Sequence, residues 1–255
     1  MRGRWTGEGP AVVLLHGQPG SAADWRFVLP HLSGLRLLVP DRPGYDGTPA
    51  GGFAHNAAAL LRRLDDAGVE RAVLVGHSWG GGVALRAALD EPRRIAALCL
   101  LGSVGSSLAV SRTDRLLAIR GVGSGSAQFM ARTGRRMAPV VAATSGSHLD
   151  SPQRATLAAT LGMWSLTGAW GAFAVEQRAL VKEGPGITRR LREVQVPSVV
   201  TMGGRDSVVP PKAQRDLASR LPRAELRHLD GGHLLILEAP AQVAAAVQRA
   251  VELGF

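Results

Sequence analysis

Thirteen residues, Val73 to Leu85, constrain this chain most: Val-Leu-Val-Gly-His-Ser-Trp-Gly-Gly-Gly-Val-Ala-Leu. An apolar run enters Gly76-His77-Ser78-Trp79-Gly80 and an Ala/Leu-rich helical pattern leaves it, so a Gly-x-Ser-x-Gly motif sits between a strand and a helix. A strand that reverses into a helix within one residue holds its turn residue in a strained conformation. Side chains two positions to either side would collide, which explains Gly76 and Gly80. The turn lifts the Ser78 hydroxyl clear of the sheet edge and sets the Trp79 N–H at a helix start, where an anionic oxygen is stabilised. A Gly-rich turn with an incidental serine is the competing explanation, and the rest of the chain decides between them.

Buried-strand runs alternate with helical patterns on both sides of this stretch. Ala11–His16, Leu35–Pro40, Ala72–Gly76, Ile95–Leu101, Ser198–Met202 and Ala224–Leu229 read as strands. Asp24–Leu32, Asn56–Ala67, Trp79–Asp90, Pro211–Arg220 and Pro240–Glu252 read as helices. The alternation predicts a mostly parallel sheet covered by helices on both faces. From Ser106 to Gly186 the rhythm breaks into helical fragments, Arg112–Ile119, Ala127–Ala138 and Arg154–Trp164 among them, with no convincing strand. The expected organisation is a core of residues 1–105 and 187–255 with a helical lid insertion at 106–186. Only about ten residues precede Ala11, too few for a full hairpin, so the N-terminal strands are expected to be shortened.

Three polar residues each follow a strand: Ser78, Asp206 and His233. In a parallel sheet those strand ends share one edge, so distance along the chain does not keep them apart. A serine hydroxyl needs a base, and the base needs an orienting acid. The order Ser, Asp, His is the one expected with a nucleophile elbow.

The chain resembles the α/β-hydrolase superfamily over essentially its whole length. His16-Gly17-Gln18-Pro19-Gly20 is similar to the family's oxyanion loop and Asp41-Arg42-Pro43-Gly44-Tyr45 to its next turn. Gly76–Gly81 is similar to the elbow, Gly204-Arg205-Asp206 to the acid loop, and Gly232-His233 with Glu238-Ala239-Pro240 to the histidine loop. The resemblance implies that Ser78 attacks a carbonyl, that His233 carries its proton, that Asp206 orients His233, and that the N–H groups of Gln18 and Trp79 hold the oxyanion. It also implies that His16 holds its loop, that His77 packs beside the elbow and that Asp41 and Arg42 stabilise their loop. Trp164, Phe129 and Leu234 are the candidate substrate contacts, although most insertion aromatics are expected to form the insertion's own core.

Dehalogenases and epoxide hydrolases of this fold place Asp where Ser78 stands, and the single tyrosine, Tyr45, lies outside the insertion. Ester cleavage through an acyl-enzyme needs only the triad and the oxyanion hole and is the leading expectation. Carbon–carbon bond hydrolases of anionic ring-cleavage products share the triad, but commonly carry Trp where Leu234 stands. Proline iminopeptidases need insertion acids, for which Glu176 and Glu183 are the candidates. Cofactor-free haloperoxidases, perhydrolases, non-hydrolytic biosynthetic enzymes and ligand receptors complete the alternatives.

Charge adds one consideration. The net charge is +10, and Ser106 to Gln195 holds twelve Arg/Lys against five Asp/Glu. The arginines are scattered, without the stripe and interleaved aromatics that nucleic acid favours, so a solvated basic surface is expected and an anionic substrate is the sharper alternative. No spacing suggests a metal site, no cofactor is implied, and the single cysteine, Cys99, is expected to be a small buried residue. Neither a secretion signal nor a membrane-length apolar run is visible, so a cytoplasmic location is expected, with a small-molecule partner, no nucleic acid or membrane, and a monomer or homodimer.

Overall fold

A computed structural model describes residues 1–145, 149–166 and 169–255. In chain order the elements are β1 (Trp5–Thr6), β2 (Ala11–Leu15), β3 (Arg36–Leu38), α1 (Phe53–Asp66), β4 (Ala72–His77), α2 (Trp79–Asp90) and β5 (Ile95–Leu101). Four helices follow: α3 (Arg112–Leu117), α4 (Arg120–Ser145), α5 (Ser151–Leu166) and α6 (Ala169–Arg190). The chain closes with β6 (Ser198–Gly203), α7 (Pro211–Arg220), β7 (Ala224–Leu229), α8 (Leu235–Glu238) and α9 (Pro240–Gly254).

The strands form one sheet in the order β1-β3-β2-β4-β5-β6-β7. All neighbours run parallel except β1, which pairs antiparallel with β3 through Trp5 and Thr6 alone. The shortened N-terminal edge is therefore a two-residue strand. Every residue of β2, β4, β5 and β6 is buried, as strands covered on both faces must be. Alternation within one strand feeds two cores. Val13 and Leu15 pack with Leu60 and Leu64 of α1, Val83 and Leu85 of α2 and Leu217 of α7. Val12 and Leu14 pack with Trp25 and with Val243, Val247 and Ala250 of α9. The α9 residues recur at three- and four-residue steps, which keeps one apolar stripe on the sheet.

One expected element differs in detail. Asp24–Leu32 is not one helix but two short 3-10 turns, Ala22–Phe27 and Leu29–His31. Pro30 lies inside the span and has no N–H to continue an α ladder. Helix α6 runs through Gly184-Pro185-Gly186 to Arg190. Its inner face is buried from Ala172 through Ile187, and that packing outweighs one missing hydrogen bond. Residue 186, the expected end of the insertion, falls inside this helix.

Among the described residues no helix is long and apolar enough to cross a membrane. Cys99 is fully buried in β5, and burial pushes its thiol up to about 12.

Candidate active site

The elbow is built as its glycines require. Ser78 is the single non-glycine residue with positive φ among the described residues, at φ 52 and ψ −118. A Cβ on Gly76 would overlap the backbone of Gly81, and one on Gly80 would overlap the carbonyls of Leu15 and His16. The turn is tied into the sheet: the Ser78 N–H donates to Leu101 O at 2.9 Å, and Ser78 O accepts from Gly81 N and Val104 N, each at 3.1 Å. These bonds hold a conformation that costs on the order of 1–3 kcal/mol by itself.

The parallel register brings the other two strand-end residues to the same rim. Gly203 pairs with Leu229, so the loops after β6 and β7 leave the sheet side by side. His233 Nε2 stands 3.0 Å from Ser78 Oγ, and His233 Nδ1 stands 2.9 Å from Asp206 Oδ2. Nδ1–H donates to the carboxylate, which leaves the Nε2 lone pair facing the serine hydroxyl. Asp206 is buried, and its second oxygen accepts from Val208 N at 2.9 Å and Val209 N at 2.8 Å. The loop holding His233 is fixed by Glu238, which accepts from the N–H groups of Gly232 and Leu234.

His77, beside Ser78, donates from Nε2 to His233 O at 2.8 Å. Burial, with a smaller contribution from the charge of His233, lowers its pKa to about 4, so it is neutral at pH 7. His16 is also neutral, held well below the ordinary histidine range by burial and then by Arg42. Its Nδ1–H donates to Gly17 O at 2.9 Å, and its Nε2 accepts from Arg42 N at 3.1 Å. Asp41 accepts from Ala22 N at 2.7 Å.

Trp79 is the first residue of α2, so its N–H has no acceptor within the helix. Gly17 packs against the elbow, where an added Cβ would come within 3.2 Å of Ser78 Cβ. Gln18 follows it, and both line a cavity of roughly 570 Å³ that also exposes Ser78 and His233.

That cavity lies between the sheet rim and the insertion. Its walls are mostly apolar: Leu157 and Leu161 of α5, Phe173 and Leu180 of α6, and Leu234 and Ile236. The polar lining includes Gln18, Gln177, Asp24, Asp114, Glu238 and Arg205. Burial pushes the Asp24 carboxyl up to about 7, against the hydrogen bonds it accepts from Ser21. Arg205 is the one arginine in the lining, and it is exposed at the mouth.

Of the expected substrate contacts, Leu234 lines the cavity. The Trp164 side chain lies outside the described residues. Phe129 is a correction: it is 63% exposed and is absent from the cavity wall. Helix α4 turns Ala127 inward onto Trp170 and Ala174, which leaves Phe129, two residues on, pointing away. Phe173 takes the place expected for it. Gln177 and Asp114 are lining residues that sequence reasoning missed, and nothing in their local pattern marked them.

Neither Glu176 nor Glu183 lines the cavity. Glu176 forms a fully buried ion pair with Arg42, and Glu183 accepts from Ala54 N at the start of α1. Among the described residues no group of three His, Cys, Asp or Glu side chains could hold a metal ion.

A strand-end serine, histidine and aspartate in hydrogen-bonded series on a mostly parallel sheet define an α/β hydrolase. The family model for the alpha/beta hydrolase fold matches residues 10–240, and the chain belongs to that family. Pimeloyl-[acyl-carrier protein] methyl ester esterase of Aromatoleum aromaticum is 31% identical over 265 residues, covering 95% of this chain and 98% of the relative. The 2-hydroxymuconate semialdehyde hydrolase of Pseudomonas sp. strain CF600 is 28% identical over 256 residues, covering 95% and 87%. A thermophilic esterase from Thermogutta terrifontis superposes with a TM-score of 0.79 at 22% identity, covering 100% of this chain and 94% of that one, a likeness of fold.

Proposed function

We propose that the protein is a serine hydrolase that cleaves a carboxylic ester of a small, neutral molecule through an acyl-enzyme on Ser78. The observation that carries this is the unbroken series from Asp206 through His233 to Ser78, at 2.9 and 3.0 Å. His233 Nε2 takes the Ser78 proton as Oγ attacks the ester carbonyl. The Gln18 and Trp79 N–H groups receive the developing oxyanion, and each such donor is worth about 2.7–4 kcal/mol in a serine protease. His233 returns the proton to the alkoxy oxygen, the alcohol leaves, and Ser78 holds the acyl group. Water, deprotonated by the same nitrogen, releases the acid. Asp206 keeps the Nδ1 proton in place throughout and stabilises the imidazolium.

The lining supports a neutral substrate over an anionic one. Three carboxyl groups, Asp24, Asp114 and Glu238, face a single arginine at the mouth. Asp114 and Glu238 are engaged with Gln177 and with backbone N–H groups, so the interior offers apolar wall and amide groups. The proline iminopeptidase alternative loses its two candidate acids, because Glu176 and Glu183 are engaged elsewhere.

The second reading is carbon–carbon hydrolysis, favoured by the full-length likeness to the 2-hydroxymuconate semialdehyde hydrolase. One experiment separates the two: turnover of short acyl p-nitrophenyl esters against turnover of an anionic ring-cleavage dienoate, with Ser78→Ala as control. Ester turnover lost in Ser78→Ala supports the first reading. Dienoate turnover without ester turnover overturns it in favour of the second. Binding without turnover of either makes the protein a receptor on this fold.

A further inference from the structure

One buried side chain braces both of the donors assigned to the oxyanion. Arg42 is fully buried. Its Nη2 donates to Gly17 O at 2.7 Å and its Nε to His16 O at 3.0 Å. Peptide planarity converts this into a direction. Across the trans Gly17–Gln18 bond the C=O and N–H point opposite ways. A Gly17 carbonyl drawn onto Arg42 therefore aims the Gln18 N–H away from Arg42. The same guanidinium lies over the Trp79 indole, its carbon 4.6 Å from the ring centroid. Phe53 stacks on that indole with centroids 4.3 Å apart. Trp79 carries the second donor, so one cation touches the supports of both.

The charge of Arg42 is answered from the insertion. Glu176 of α6 pairs with Arg42 Nη1, both side chains being fully buried, and accepts from the Tyr45 hydroxyl at 2.7 Å. Gln177, the next residue, accepts from Gln18 Nε2 at 3.0 Å and donates to Asp114 Oδ1 of α3 at 3.0 Å. A buried ion pair of this kind is an inefficient stabiliser, because its desolvation offsets most of its attraction. A rigid fork that satisfies two consecutive loop carbonyls and a carboxylate is suited to holding geometry.

We infer that Arg42 and Glu176 are positioning residues for the oxyanion hole, and that through Glu176 the helical insertion supports the hole as well as roofing the cavity. This rests on the reading of Ser78 as the nucleophile. Each acts through a neighbour: Arg42 on the Gly17 carbonyl and the Trp79 ring, Glu176 on Arg42.

The test is the rate at which a fluorophosphonate labels the full-length protein. Ser78 Oγ attacks phosphorus, fluoride leaves, His233 takes the hydroxyl proton, and the phosphoryl oxygen enters the oxyanion hole. The rate per active molecule does not depend on how much of a preparation is folded. Wild type must label and Ser78→Ala must not. Failure of that control overturns the nucleophile reading itself. With the control met, Arg42→Lys and Glu176→Gln are expected to label roughly 10- to 100-fold more slowly, short of the 10²–10³ for outright loss of a donor. Their kcat on p-nitrophenyl butyrate should fall by the same factor, with KM within about threefold, because the deficit is confined to the transition state. Arg42→Lys keeps the charge that answers Glu176 but cannot span both carbonyls. A lowered Tm with an unchanged labelling rate would make the pair purely structural and overturn the inference. Where either variant fails to fold, Tyr45→Phe is decisive, since it removes one hydroxyl and no charge. A slowing of about three- to tenfold supports the inference, since only part of the loss of one hydrogen bond to a charged group is passed through Glu176 and Arg42 to the transition state. An unchanged rate refutes it.

Discussion

His77 should make the protein acid-sensitive by an amount that follows from its burial. The native imidazole is neutral, and its pKa is lowered to about 4 from an ordinary 6.5. The unfolded chain takes up a proton below pH 6.5 while the native state resists until about pH 4. Between those values the unfolded state binds more protons, so stability rises with pH and is lost as pH falls through this window. By pH 5 the group should have removed about 2 kcal/mol relative to pH 8, and by pH 4 or below close to 3 kcal/mol, at about 1.36 kcal/mol per pH unit. The assay is urea unfolding at pH 8 and pH 5 for wild type and His77→Gln, whose amide can still donate to the His233 carbonyl and cannot titrate. His16, also held neutral, titrates in both proteins and cancels in the comparison. The expected result is a loss between the two pH values that is about 2 kcal/mol smaller in His77→Gln. An identical loss in both proteins would refute the assignment of a buried, neutral His77.

Four further outcomes are expected. Ser78→Ala should lower kcat on p-nitrophenyl esters by about 10⁶, by analogy with removal of the nucleophile in a serine protease, with little change in Tm. Asp206→Asn should cost about 10⁴ in kcat, because the Val208 and Val209 N–H groups hold the amide oxygen and leave the amide NH2 donating to His233 Nδ1, which favours the wrong tautomer; circular dichroism should show an intact fold. Gly80→Ala forces a methyl group into the Leu15 and His16 carbonyls, so the backbone must move; a loss of more than about 3 kcal/mol in denaturant unfolding is expected, beyond the usual range for point changes. Phe173→Ala should extend the acyl chain length accepted, read from kcat/KM across a p-nitrophenyl ester series, whereas Phe129→Ala should leave that series unchanged within about twofold because the ring faces solvent.

Several features of this protein could be read directly from its residues. The fully buried strands, the alternation of strands and helices along the chain and the turn at Ser78 depend on short-range rules. A strand covered on both faces must be apolar throughout, and a reversal within one residue must exclude Cβ atoms at Gly76 and Gly80. The residues following three strand ends were legible for a related reason. Once a sheet is parallel its C-terminal ends share a rim, so Ser78, Asp206 and His233 needed only to be recognised as strand-end residues. The insertion was legible as helical but not in its packing. Helix α6 continues through Gly184-Pro185-Gly186 because its inner face is buried against the rest of the protein.

Tertiary structure alone decided what the insertion does for the site. Glu176 stands 134 residues from Arg42 in the chain, and no local pattern states that the two meet. Phe129 and Phe173 are equally apolar, yet one faces solvent and the other the cavity, because helix rotation is set by the packing of α4 and α6 around Ala127, Trp170 and Ala174. Sequence by itself determined the backbone that presents the serine, histidine and aspartate, since those requirements are steric and local. The closing of four helices over the rim determined the size of the cavity, its polarity and the contacts of the Gly17–Gln18 loop, since those depend on contacts between segments that share no sequence neighbourhood.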